Sequence, residues 1–177
     1  MSSRYIVVEG PIGVGKTSLC KRLADSMKGE LLLEAAEENP FLERFYQNPR
    51  TAALPTQLFF LFQRARQIQE LRQNDLFAPL RIADYLMDKD RLFAELTLDD
   101  DELRLYHQVY ESLTVDAPLP DLVVYLQAPV EVLVERVQRR GRRVERQLDT
   151  GYLQNLAEAY TRFFHYYNDT PLLIVNA

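Results

Sequence analysis

Apolar residues recur along this chain in two spacings. Short runs rich in β-branched residues, at Tyr5–Val8, Leu31–Leu33, Leu80–Ala83, Leu122–Leu126 and Leu172–Val175, predict five strands. Elsewhere apolar positions fall three or four apart, as at Leu19 and Leu23. That spacing predicts helices over Thr17–Lys28, Phe41–Tyr46, Thr56–Arg72, Asp90–Leu96, Asp100–Leu113, Val130–Gln138 and about Gly151–Tyr167. Gly29 marks the end of the first helix, and Pro129 cuts off the fourth strand. The acidic run from Asp100 suits a helix N-terminus. Strands that alternate with helices need crossover connections, so the pattern predicts a mostly parallel sheet covered by helices on both faces. No low-complexity linker or internal repeat divides the chain, which reads as one domain over residues 1–177. Ligands of such sheets bind beyond the carboxyl ends of the strands. Glu9, Glu34 and Asp84 fall at or just past predicted strand ends, which gathers acidic groups on that edge.

The turn after the first strand carries the clearest chemistry. Gly10-Pro11-Ile12-Gly13-Val14-Gly15-Lys16-Thr17 fits G-x-x-x-x-G-K-[ST] without a mismatch, with a strand before it and a helix after it. Glycines let successive N–H groups, here including those of Ile12 and Val14, turn inward around phosphate oxygens. The helix N-terminus, with Ser18 in its first turn, adds partial positive charge. Lys16 is placed to reach the β- and γ-phosphates, and Thr17 to ligate Mg²⁺. The motif therefore predicts a P-loop NTPase fold and nucleoside triphosphate binding, and leaves the reaction open. No Asn-Lys-x-Asp or post-strand Asp-x-x-Gly pattern points to a signalling GTPase.

Composition narrows the partners. The net charge of −5 and pI near 5.1 disfavour a broad nucleic-acid-binding face. The basic residues concentrate locally, between Arg136 and Arg146. The one cysteine, Cys20, excludes an intrachain disulfide and fits a reducing, cytoplasmic setting. No apolar run is long enough to span a membrane, and the opening MSSRYIVVEG has no signal-peptide pattern.

Two further features favour phosphoryl transfer to an alcohol. Glu34 ends the second strand, where a carboxylate could accept the proton of an attacking hydroxyl; from the pattern alone it is equally a surface carboxylate. Five arginines lie within eight residues, at 136, 139, 140, 142 and 143, around Gly141. They suit a mobile clamp, a lid over about 138–148, that neutralises a transferring phosphoryl group, although charge runs are commonly solvated faces. Gln57 and Arg64 are two turns apart on one predicted helix face. A carboxamide can pair with a base edge; the same spacing also fits an ordinary amphipathic helix.

With these segments in view, GPIGVGKTS, EAAEENPFLERFY, TQLFFLFQRARQ and RGRRVERQLDTGYL, the chain resembles the deoxynucleoside kinase family, most closely its bacterial purine-type members. The resemblance runs from about Tyr5 to Val175. It implies a five-stranded parallel sheet with flanking helices, a homodimer, ATP as donor, Mg²⁺ as cofactor and a nucleoside acceptor. It also implies roles. Glu34 would be the base that takes the 5′-hydroxyl proton, Gln57 would pair with the nucleobase, and Arg64 would lie near the 5′-oxygen. Tyr46 and Glu145 would meet the 3′-hydroxyl, Phe93 would stack on the base, and Arg136, Arg140 and Arg142 would hold ATP phosphates.

The third-strand motif departs from the family pattern. Where the resemblance implies Glu-Arg-Ser, this chain has Ala83-Asp84-Tyr85, and Lys89 stands where an aspartate would read the base. This exchange leaves four readings: an Asp84–Lys89 ion pair of reversed polarity, lost base selection, a different acceptor, or Asp84 helping to hold Mg²⁺ through water, as Glu34 also could. A kinase for another small alcohol or nucleotide, or a silent nucleotide-binding subunit, are the alternatives it leaves open. The resemblance further implies an adenine-contacting loop beyond the last strand; this sequence ends at Asn176-Ala177.

Overall fold

The structure, a computed structural model, describes residues 4–73, 80–113 and 117–177. Residues 1–3 of the opening MSSRYIVVEG lie outside that set. Five strands, β1 (Tyr5–Glu9), β2 (Glu30–Leu32), β3 (Arg81–Ala83), β4 (Leu122–Gln127) and β5 (Leu172–Asn176), form one sheet in the order β2-β3-β1-β4-β5. Every pairing is parallel; Val7 of β1 aligns with Ala83 on one side and Val123 on the other. The chain leaves β1 toward one edge and later returns to the other side of it. The carboxyl ends of β1 and β3 therefore flank the switch in direction, where α/β sheets bind ligands.

Alternation along β1 assigns the two sheet faces. Val8 points toward α1 (Lys16–Met27) and α6 (Val130–Arg140), in a core with Cys20, Ala24, Val124, Leu126 and Leu133. Val7 points the opposite way, with Tyr5, Val123 and Tyr125, against Leu92 of α4 (Asp88–Thr97) and Leu156, Tyr160 and Phe164 of α7 (Thr150–Tyr166). A third core holds α2 (Leu42–Gln47), α3 (Pro49–Gln73) and α5 (Asp100–Leu113) against α4 through Leu42, Phe45, Leu61 and Tyr106. Among the described residues no helix is long and apolar enough to cross a membrane.

Element boundaries differ from the sequence expectation in instructive places. The long helix starts at Pro49, not Thr56, and runs through Pro55. Pro49 sits in the first turn, where its missing N–H is no loss. Pro55 cannot donate to the Thr51 carbonyl. Burial of Ala52 and Ala53 nevertheless keeps the turn in place. Helix α6 extends to Arg140, two residues beyond the expected end, and stops at Gly141 with φ 63°. The expected lid thus consists of the last turn of α6, a loop and a 3₁₀ turn at Arg143–Glu145. Strand β2 ends at Leu32, so Glu34 lies past the sheet rather than on it.

Candidate active site

The phosphate-binding loop is shaped by its glycines. Gly10 has φ 153°, and a Cβ there would lie 2.4 Å from the Leu126 carbonyl oxygen. Gly13, at φ 86°, backs onto α6 with no room for a methyl group: its Cβ would come 3.0 Å from the Leu133 carbonyl oxygen. Arg136 of α6 donates to the Val14 carbonyl at 3.1 Å and so braces the loop from behind. Lys16 lies over the loop, its Nζ donating to the Gly10 carbonyl at 2.6 Å. Burial, followed by the charge of Lys89, pulls its pKa from 10.5 down to about 8.

Below the loop, Glu9 is a structural carboxylate. It is 1% exposed and accepts from the Gly10 N–H, the Leu86 N–H and the Tyr160 hydroxyl, each at 2.9 Å. Of the three acidic residues gathered at the strand ends, it alone is absent from the cavity lining.

Asp84 and Glu34 do face a cavity. The Thr17 hydroxyl donates to Asp84 Oδ2 at 3.0 Å, while Asp84 Oδ1 accepts the Glu34 N–H at 2.8 Å. A hydroxyl and a carboxylate side by side at the phosphate loop are hard oxygen donors. They fit Mg²⁺, which keeps several waters and takes one or two carboxylates plus phosphate oxygens.

The Glu34 carboxylate is clamped by two cations. Arg64 of α3 bonds one oxygen, and Lys89 of α4 donates to the other at 2.9 Å. Burial alone would raise its pKa, but Arg64 and Lys89 outweigh burial and hold the carboxyl well below the usual range. Arg64 also bonds Asp90, which is wholly buried and accepts the Tyr106 hydroxyl. The result is a buried chain, Tyr106–Asp90–Arg64–Glu34–Lys89, drawn from α5, α4, α3 and the β2 exit. Asp84 and Lys89 do not pair: Asp84 is taken by Thr17 and the Glu34 backbone, Lys89 by Glu34. The reversed-polarity ion pair allowed by the sequence is therefore replaced by a pair between Lys89 and the candidate base.

One cavity of about 450 Å³ joins these groups, within the range of small-molecule sites. Of the site residues proposed from sequence, Ile12, Gly13, Gly15, Lys16, Thr17, Ser18, Glu34, Tyr46, Gln57, Arg64, Asp84, Lys89, Phe93, Arg140, Arg142 and Glu145 all line it. Gly10, Val14 and Arg136 do not: Gly10 and Val14 are buried within the loop, and Arg136 braces it from behind. Sequence reasoning missed Phe45, Phe60 and Tyr152, which also line it, and Asp90 and Tyr106, which anchor Arg64 from outside. Asp90 reads in sequence as an ordinary acidic helix opener, and only the α3–α4–α5 packing reveals its partner.

A sequence profile of the family described as deoxynucleoside kinase matches residues 6–177. The chain belongs to the deoxynucleoside kinase family. It is 36% identical over 158 residues to the deoxyguanosine kinase of Bacillus subtilis, covering 88% of this chain and 76% of that one. It is 27% identical over 188 residues to the deoxyadenosine kinase of Lactobacillus acidophilus, covering 98% and 85%. Its fold superposes on deoxyadenosine kinase from M. mycoides, solved with dCMP and dCDP bound, with a TM-score of 0.87 at 22% identity over 97% of this chain and 89% of that one. Like its relatives it is a phosphotransferase of the P-loop NTPase fold.

In this deoxynucleoside kinase the arginine-rich segment after Gln138 is tied down by acidic partners. Arg140 bonds both oxygens of Glu145, at 2.7 and 2.5 Å. Arg142 reaches Glu37 at 3.5 Å and Arg143 reaches Glu43 at 3.6 Å, from the stretch that follows β2. Burial, then the nearby Glu145 charge, raises the Tyr46 pKa, so its hydroxyl stays protonated.

Proposed function

We propose that this chain transfers the γ-phosphate of ATP to the 5′-hydroxyl of a purine deoxynucleoside. One observation carries the reading: the Glu34 carboxylate, fixed by Arg64 and Lys89, lines the same cavity as Lys16 and Thr17. The phosphate loop would hold the donor, and Glu34 would receive the hydroxyl of the acceptor as a hydrogen-bond donor. The names of the relatives, deoxyguanosine and deoxyadenosine kinases, support a purine.

Phosphoryl transfer passes through a loose transition state, so positioning and charge neutralisation matter more than base strength. That suits Glu34, whose flanking cations keep it ionised; it orients the attacking hydroxyl and takes its proton late. Lys16 and the lid residues Arg140 and Arg142 offset charge on the moving phosphoryl group. Arg140 must exchange Glu145 for phosphate to do so, which frees Glu145 for the 3′-hydroxyl beside Tyr46. Thr17 and Asp84 would hold Mg²⁺, which supplies charge neutralisation across the β- and γ-phosphates when bound. Phe93 offers a face for the base and Gln57 a carboxamide for its edge.

Glu34→Gln tests this reading. Turnover of deoxyguanosine or deoxyadenosine should fall by about 10²- to 10⁴-fold, the usual worth of a general base. ATP affinity, measured by calorimetry, should change little. Undiminished turnover would remove Glu34 from the chemistry.

A further inference from the structure

The wall of the cavity around Glu34 carries hydrogen-bonding capacity that the phosphoryl transfer itself does not use. Lys89 has three N–H groups. Among the described residues only Glu34 accepts from it, which leaves two free. Its Nζ lies 5.6 Å from the centre of the Phe93 ring, the face offered to a base. On the same wall the Arg64 Nε is buried without an acceptor. Gln57 is 2% exposed, lines the cavity, and its carbonyl oxygen is buried without a donor. These groups ask for specific partners, because a buried polar atom left unpaired is costly.

The carboxylates of this wall offer a base nothing. Both Glu34 oxygens are bonded to cations. Successive helix positions point about 100° apart, so Lys89 faces the cavity while Asp90 turns into the core, where Arg64 and Tyr106 occupy it. What remains for a base edge is a donor-rich corner at Lys89, with Arg64 beside it, and two unpaired oxygens, the Gln57 carbonyl and the neighbouring Thr56 hydroxyl.

The position of Lys89 decides which edge it meets. In an anti nucleoside the 5′-carbon lies on the C8 side of the purine. The edge nearest the 5′-oxygen, and so nearest Glu34, therefore carries N7 and then the 6-substituent. Lysine pairs with N7 and O6 of guanine, where both positions accept; adenine presents an amino donor at the second. Gln57 is indifferent by itself, since its carboxamide can pair with either purine. With a 6-oxopurine its free oxygen accepts from N1–H.

We infer that Lys89 is a specificity-determining residue and that the acceptor site selects 6-oxopurine deoxynucleosides, deoxyguanosine and deoxyinosine, over deoxyadenosine. This rests on the deoxynucleoside kinase reading above and sharpens it to one substrate class. Lys89 then serves two purposes: one N–H positions Glu34, and the two remaining donors read the ring.

The test compares kcat/KM with ATP for deoxyguanosine, deoxyinosine, deoxyadenosine and 7-deaza-2′-deoxyguanosine. The wild-type protein should favour both 6-oxopurines over deoxyadenosine by at least about tenfold, the low end of one good bidentate base contact. The 7-deaza analogue should lose most of that advantage. In Lys89→Gln, turnover of every substrate should fall because Glu34 loses a clamp, but the guanine-to-adenine ratio should also collapse toward one, which a purely structural role would not produce. Equal or reversed preference in the wild type, or full activity on the 7-deaza analogue, would overturn the inference while leaving the kinase reading intact. Phosphorylation of no deoxynucleoside would overturn both. If Lys89→Gln does not fold, the wild-type series and calorimetric affinities for the two purines still decide.

Discussion

The two halves of the cavity are built on opposite principles. The donor half is made of backbone: glycines, inward N–H groups and a helix end, with Lys16 as its one long side chain. The acceptor half is made of side-chain charges from α3, α4 and the β2 exit, two positive and two negative, with a tyrosine hydroxyl from α5. The loop derives its shape from what is missing, a Cβ at Gly10 and Gly13. The acceptor wall derives its shape from a charge balance, since Arg64 and Lys89 together match Glu34 and Asp90. One half should therefore be intolerant of added atoms and the other of altered charge.

The largest effect expected from that contrast is at Asp90. Asp90→Asn keeps the shape but leaves a buried excess of positive charge, and breaking a buried pair in this way costs on the order of 3–5 kcal/mol. Urea unfolding should show that loss, with a parallel fall in turnover as Arg64 shifts on Glu34. A change below about 1 kcal/mol would mean that the wall does not depend on its charge balance. Gly10→Ala tests the other half. Its methyl group would meet the Leu126 carbonyl oxygen at 2.4 Å, in a backbone conformation that itself costs an L-residue about 1–3 kcal/mol. A loss of about 2–4 kcal/mol is expected, with nucleotide binding abolished in whatever folds. Normal nucleotide affinity in this variant would show that the loop can shift.

The smallest effect concerns pH. The Lys16 pKa is depressed from 10.5 to about 8. In the free protein its ammonium form is lost as pH rises through 8, and phosphates must then draw a proton back onto it. The ATP dissociation constant should be flat below pH 8 and rise toward tenfold per unit above it. The same depression disfavours the folded state most below pH 8, where Lys16 is charged in both the folded and the unfolded chain, and the penalty is relieved as the folded protein sheds that proton. Stability from this group should therefore increase between pH 8 and 10.5. Calorimetry in two buffers of different ionisation heat would register the proton uptake; its absence would mean that Lys16 remains charged throughout.

The same contrast explains what could be read from sequence. The phosphate loop is contiguous, so eight residues and their flanking strand and helix were enough to place it. Tyr46, Gln57, Phe93, Arg140 and Glu145 came from family resemblance, and all line the cavity. Asp90 and Tyr106 were invisible because their meaning depends on helices separated by 16 to 26 residues in the chain. The exchange at Asp84 and Lys89 was visible as an anomaly, yet its resolution, Asp84 to Thr17 and Lys89 to Glu34, needed three dimensions. The helix starts at Pro49, well before the expected Thr56, and runs through Pro55 where Ala52 and Ala53 are buried beside it.

Glu9 has a consequence for how the protein is made. Its single carboxylate knots together the first residue of the phosphate loop, the turn leaving β3 and a tyrosine near the end of the molecule. Tyr160 follows Glu9 by 151 residues, so it is the last of the three partners to be synthesised. A fragment cut before α7 would lack Tyr160 and leave the carboxylate beneath the phosphate loop with only its two backbone donors.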